Sequence, residues 1–172
     1  GQVEDGSPVY AMRFIRGESL HDAVQRFHTS AGPAPCRGER ALAFRQLLTR
    51  FVVVCNAVAY AHSRGVLHRD LKPANVMLGP YGETLVVDWG LAKPFGPAWP
   101  GEAEDRAAAG PEGAGDATQL GAVLGTPAFM APEQAAGRPD LVSPASDVYS
   151  LGATLYVILT GRPPFQDRRV LD

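Results

Sequence analysis

Apolar positions along the chain follow two different periods. Between residues 40 and 64, Phe44, Leu47, Leu48, Phe51, Cys55 and Val58 recur three or four apart, which is the spacing of one helix face turned to a core. That pattern predicts a long helix over about 40–64, with a shorter one before it over 18–27. The run Ala153-Thr154-Leu155-Tyr156-Val157-Ile158-Leu159 predicts a second buried helix. Its start is marked by Ser143-Pro144, a good N-cap followed by proline at the first helical position. Asp147 then falls in the first turn, where the helix dipole favours a carboxylate. From 76 to 87 the pattern changes to short, β-branched-rich runs, Val76-Met77-Leu78 and Thr84-Leu85-Val86-Val87. The turn signal Gly79-Pro80-Tyr81-Gly82 lies between them, and together they predict a hairpin. Val9 to Gly17 reads as another strand, ending at a glycine.

Two stretches break the pattern. Residues 29–39, rich in Ala, Gly and Pro, are expected to link the first two helices. Residues 94–117 are dominated by Ala, Gly, Pro and Glu with hardly any apolar anchors, a composition that predicts disorder. No segment is expected to reach membrane-spanning length. Phe51-Val52-Val53-Val54-Cys55 is broken by Asn56, and the run after Ala153 is too short.

Composition narrows the picture further. A chain of 172 residues with 45% apolar content fits one packed, globular unit. A net charge of -2 argues against nucleic acid or an anionic membrane as the main partner. Cys36 and Cys55 lack C-x-x-C spacing and read as free thiols in a reducing compartment. The four histidines form no metal-ligand set; His62 and His68 read as structural.

The predicted hairpin gives chemical meaning to its flanks. It brings Asn75, just before the first strand, beside Asp88, just after the second. An amide oxygen and a carboxylate side by side suit Mg²⁺, a hard cation that prefers oxygen and keeps waters and substrate phosphates. Asp70, five residues before Asn75, can face the same ion-bound phosphate without binding the ion. Lys72 can offer its ammonium to a transferring phosphoryl group.

His68-Arg69-Asp70-Leu71-Lys72-Pro73-Ala74-Asn75 and Asp88-Trp89-Gly90 resemble the catalytic loop H-R-D-L-K-x-x-N and the metal-binding D-[FW]-G of eukaryotic-type protein kinases. Lys72 two residues after the Asp resembles the Ser/Thr form of that loop. Gly125-Thr126-Pro127-Ala128-Phe129-Met130-Ala131-Pro132-Glu133 is similar to the end of an activation segment. Ser146-Asp147-Val148-Tyr149-Ser150-Leu151-Gly152 is similar to the start of the family's central helix.

The resemblance implies a kinase-like α+β fold in which 1–17 form the last N-lobe strand and hinge. Residues 18–172 would be the helical C-lobe through the central helix, with a long activation segment over 88–133. It implies Asp70 as the group that accepts or orients the substrate hydroxyl proton, Lys72 on the γ-phosphate, and Thr126 touching both. Asn75 and Asp88 would hold Mg²⁺. Met12 would be the gatekeeper, the backbone of Arg13 and Ile15 would bond the adenine of ATP, and Met77 would lie beneath it.

In the family Asp147 hydrogen-bonds the catalytic-loop backbone, and Glu133 pairs with an Arg from a late helix beyond these residues. Trp89 stands where the family usually has Phe and should pack behind the metal-binding Asp. An Arg before the catalytic Asp implies regulation, with Arg69 binding a phosphate at Thr118. The expected activity is bacterial-type Ser/Thr protein kinase, acting on protein substrates in the cytoplasm, with membrane contact only through a span outside these residues. No G-x-G-x-x-G loop or V-A-I-K strand precedes Val9, so the chain reads as a fragment that is inactive in isolation. The alternatives are a pseudokinase scaffold and a truncated inactive product.

Overall fold

A computed structural model describes residues 15–29, 37–95 and 127–165. The elements run β1 (Glu18–Ser19), α1 (Leu20–Thr29), α2 (Arg37–Ser63), β2 (Val66–Leu67), β3 (Val76–Leu78), β4 (Thr84–Val86), β5 (Lys93–Pro94), α3 (Pro132–Ala135) and α4 (Pro144–Thr160). Single 3₁₀ turns lie at 73–75, 89–91 and 127–129. Helices dominate, and the strands form two small antiparallel sheets, β1-β3-β4 and β2-β5.

The hairpin forms, with Val76 opposite Val86 and Leu78 opposite Thr84. β1 adds to its other edge, Glu18 opposite Leu78 and Ser19 opposite Met77. The helix expected over 18–27 is therefore displaced: its first two residues are strand, and the helix begins at Leu20. The reason is local. Ser19 Oγ accepts a 3.1 Å hydrogen bond from the Asp22 backbone N–H, so Ser19 acts as the N-cap and the helix cannot start before it.

Ile15 and Arg16 have no regular structure and Gly17 is a bend, so the described end of the strand expected over 9–17 is not strand. Gly17 has φ +142°, and a Cβ there would lie 2.1 Å from the Leu78 carbonyl oxygen. Only glycine lets the entering chain pass so close to β3. Thr29 closes α1 and Arg37 opens α2, so the expected 29–39 linker loses both ends to helix.

Helix α2 turns the predicted face inward. Leu47 and Val58 are buried, and Phe44, Leu48, Phe51 and Cys55 pack partly buried against the same core. Val54, absent from the expected face, is 1% exposed and completes it. By length and composition the stretch 38–63 suffices to cross a membrane, which corrects the expectation that no segment does. An average over such a length tolerates the single polar Asn56 that breaks the apolar run. Here its inner face packs on α1, α4 and the hairpin, and 17% of its most apolar window is buried.

Helix α4 is the central post. Leu151, Val157 and Ile158 are buried among Leu20 and Val24 of α1 and Val54 and Val58 of α2. Its N-terminus carries the expected cap residue Ser143, whose N–H donates to Ser146 Oγ at 3.1 Å. Its C-terminus ends at Gly161, φ +74°, whose N–H donates to the Val157 oxygen at 2.7 Å. His28 of α1 reaches the Ile158 carbonyl at 3.0 Å, and a Cβ on Gly161 would meet the His28 ring at 2.7 Å. The end of the post is thus closed by another helix's side chain.

Pro94 lies in β5 opposite Val66, and the Phe95 N–H donates to the Gly65 oxygen at 2.7 Å. The start of the 94–117 stretch is therefore ordered, and the rest lies outside the described residues.

Ile158 is fully buried, so Ile158→Ala should lower the unfolding free energy by about 2–5 kcal/mol. Tyr156→Ala on the exposed face of the same helix should change it by less than about 0.5 kcal/mol. Urea unfolding of the two variants checks the contrast.

Candidate active site

The loop 68–75 enters the core at Leu67 and Leu71, 2% and 1% exposed, and leaves it at the hairpin. Between these anchors it carries its polar residues inward. Asp70 is 9% exposed and Asn75 7%. Lys72 Nζ donates to Asp70 Oδ2 at 2.7 Å. Asn75 Nδ2 donates to the same oxygen at 3.0 Å and to the Asp70 backbone oxygen at 2.8 Å. With Nδ2 used in this way, Oδ1 is the Asn75 atom that can serve a cation.

The Val87 N–H donates to the Asn75 oxygen at 2.9 Å, so the hairpin's open end sets Asp88 one residue from Asn75's strand partner. Asp88 is exposed with φ +63°. An amide oxygen and a carboxylate, both hard donors, fit Mg²⁺ in a site completed by waters and phosphates. Among the described residues no cluster of three or more His, Cys, Asp or Glu could hold a metal alone, and such a completed site needs none.

Asp70, Lys72 and Asn75 thus form one hydrogen-bonded group beside Asp88. Met77 sits on β3 between Ser19 and Leu85, and Ile15 lies three residues before the strand that pairs with it. Met12, Arg13, Thr118 and Thr126 lie outside the described residues. A cavity of about 1060 Å³ is lined by Phe27, Arg40, Leu47, Leu78 and Gly82 at the turn end of the hairpin. Asp70, Asn75 and Asp88 are at the opposite, open end and do not line it. Chemistry, not cavity size, therefore marks the site, because concentrated polar groups define it where volume does not.

The loop's backbone is held from outside. Asp147, 1% exposed, accepts from the His68 N–H through Oδ2 and from the Arg69 N–H through Oδ1, both at 2.9 Å. Its place in the first turn of α4 fits the dipole as well, so both sequence readings of Asp147 hold together. His62 adds a third bond, Nε2 to Asp147 Oδ2 at 2.8 Å, which makes its structural role specific. Arg69, φ +72°, and Asp88 are the non-glycine residues with positive φ among those described. Arg69 Nε is buried with no hydrogen-bond partner among them.

His68 is fully buried. Its Nε2 meets the Val87 carbonyl at 3.1 Å, so Nε2 carries the proton, and Nδ1 accepts from the Asp70 N–H at 3.3 Å. Burial holds the ring below its ordinary value of 6.5, against the opposing pull of the Val87 carbonyl and of Asp147, Asp70 and Asp88. The Trp89 ring tilts over it at 4.5 Å, and Trp89 Nε1 donates to the Val86 oxygen at 3.0 Å. The large ring after Asp88 is therefore seated on His68.

The short segment 127–135 docks on α4. Ser150 Oγ donates to the Phe129 oxygen at 2.8 Å, and Ser146 Oγ donates to Glu133 Oε1. Gln134 Nε2 donates to the Arg69 carbonyl at 2.8 Å. Sequence reasoning missed Gln134. Its position three after Ala131 signals a helix-start bond, and Oε1 does accept from the Ala131 N–H at 3.3 Å. Nothing local signals the bond to Arg69.

Buried neutral His68 gives a pH prediction. Between its lowered folded value and 6.5 the unfolded chain binds more protons. Stability should therefore be level above that window and fall as pH drops through it, by at most about 1.4 kcal/mol per pH unit for one proton. Urea midpoints from about pH 8 to about pH 5.5 should show this fall, shallower in His68→Gln.

The family profile described as "Protein kinase domain" matches residues 3–171. The chain is 41% identical to the serine/threonine-protein kinase PknD of Protochlamydia amoebophila over 166 residues, which is 95% of this chain and 16% of that protein. It is 37% identical to the serine/threonine-protein kinase PknB of Mycobacterium tuberculosis over 158 residues, 92% of this chain and 21% of that protein. It therefore spans about a fifth or less of the length of these curated relatives. With a profile match over nearly its whole length, the chain belongs to the protein kinase domain family.

Proposed function

We propose that this chain carries the phosphate-receiving and metal-binding part of a serine/threonine protein kinase, which transfers the γ-phosphoryl group of ATP to Ser or Thr hydroxyls of proteins. The observation that carries the reading is the bonding of Lys72 and Asn75 to one oxygen of Asp70. In this reading both contacts lie on Oδ2, so Oδ1 accepts or orients the proton of the incoming hydroxyl. Lys72 holds the carboxylate in place and lies within reach of the transferring group's charge. Asn75 Oδ1 and Asp88 hold Mg²⁺, which when bound neutralises charge on the ATP phosphates. The names of the relatives support the Ser/Thr class.

In the same reading residues 1–17 are the last N-lobe strand and hinge, 18–172 the C-lobe and 88–133 the activation segment. Met12, the backbone of Arg13 and Ile15, and Met77 then bound the adenine, and Thr126 approaches Asp70 and Lys72. The protein works in the cytoplasm, where its Mg·ATP is made. The buried Nε of Arg69, with no hydrogen-bond partner among the described residues, supports a second element, in which a phosphate on Thr118 is drawn to that guanidinium and orders the segment.

In the full-length protein, Asp70→Asn should reduce phosphoryl transfer to a protein acceptor by about a thousandfold or more, with little change in ATP KM. Radiolabelled transfer from ATP with Mg²⁺ measures it, and wild-type rates in Asp70→Asn would refute the assignment. Thr118→Ala should lower activity after preincubation with ATP by about tenfold or more. Equal activity before and after that substitution would remove Thr118 from the scheme.

A further inference from the structure

The geometry points to Gln134 as a positioning residue that sets the orientation of Asp70 through the Arg69–Asp70 peptide. This rests on the proposed role of Asp70, and extends it to a side chain in a different segment.

A peptide unit is planar, so fixing its carbonyl and its N–H fixes the plane. In the Arg69–Asp70 peptide the carbonyl accepts from Gln134 Nε2 at 2.8 Å. Its N–H donates to His68 Nδ1 at 3.3 Å, a long contact near the limit of a useful bond. The short, well-formed restraint is thus the one from Gln134. Asp147 does not replace it, since its bonds to the loop backbone end on the N–H groups of Arg69 and His68, one and two peptides earlier.

Arg69 needs that restraint. It holds φ +72°, a left-handed conformation that a non-glycine residue avoids and that persists only where surrounding contacts impose it. Without a donor at its carbonyl the Arg69–Asp70 plane is free to turn, which changes ψ of Arg69 and φ of Asp70. That rotation swings the Asp70 Cα–Cβ bond away from Lys72 and Asn75. Gln134 is itself placed by its bond from Ala131 and by the neighbouring Glu133 and Phe129, tied to Ser146 and Ser150 of α4. The docked position of 127–135 is therefore transmitted to Asp70 by one amide.

Two length-matched substitutions in the full-length protein test this. Gln134→Met removes the donor. Gln134→Glu removes the donor but keeps an oxygen for the Ala131 N–H. Both should lower kcat about tenfold while the KM for Mg·ATP changes by less than about twofold, because misplacing a reacting group acts on the chemical step. Melting temperature should stay within a few degrees of wild type for Gln134→Glu. Wild-type kcat in either variant overturns the inference. So does a kcat loss in Gln134→Glu that comes with an equal loss of folded protein, which would make the residue merely structural. Asp70→Asn measured alongside separates the two levels: if it retains wild-type rates the underlying reading fails, and if it is inactive while Gln134→Met is not, only the role of Gln134 fails.

Discussion

One buried carboxylate organises this structure. Asp147 has almost no access to water, and removing a carboxylate from solvent costs several kcal/mol unless hydrogen bonds replace the lost hydration. Three donors do so: the His68 and Arg69 backbone amides and the His62 ring. The dependence is mutual, because the backbone amides, in a loop that forms neither helix nor sheet there, would otherwise be without partners. Helix α4, helix α2 and the loop that bears Asp70 are joined at a single side chain.

Around that point the chain accepts backbone conformations that it would avoid elsewhere. Arg69 and Asp88 have left-handed φ; Arg69 adjoins Asp70, and Asp88 stands at the hairpin's open end. His68 has a related function from inside the loop. Its Nε2–H reaches Val87 and its Nδ1 receives the Asp70 amide, so one neutral ring measures the gap between the loop and β4. The Trp89 ring packs against it, with centroids 4.5 Å apart. Shared restraint explains how a loop can hold a lysine, an amide and a carboxylate in a fixed arrangement without regular secondary structure.

Much of the fold was legible because it depends on local regularity. The helical period from Phe44 to Val58, the Ser143-Pro144 start and the Gly79–Gly82 turn each have a mechanism within a few residues, and each element formed. Errors fell at boundaries, where a tertiary contact competed with local preference. Glu18 and Ser19 became an edge strand because Leu78 and Met77 offered them partners. Pro94, in a stretch whose composition suggests disorder, gained the same from Val66. Val54 was missed as a core residue because it sits among three valines that only packing can tell apart.

The sequence by itself determined which chemical groups are present and their order: an aspartate, a lysine and an asparagine within six positions, and an aspartate beyond a hairpin of fixed length. It also determined the hairpin, since strand alternation and turn chemistry are short-range. Only the tertiary structure decided what holds those groups in place. The bonds of Asp147 to the His68 and Arg69 N–H groups span 79 and 78 positions, and the bond of His62 to Asp147 spans 85. Gln134 reaches Arg69 across 65 positions. Hydrogen bonds over such separations depend on how three helices pack, and packing is set by the whole apolar core, not by any segment that can be read alone.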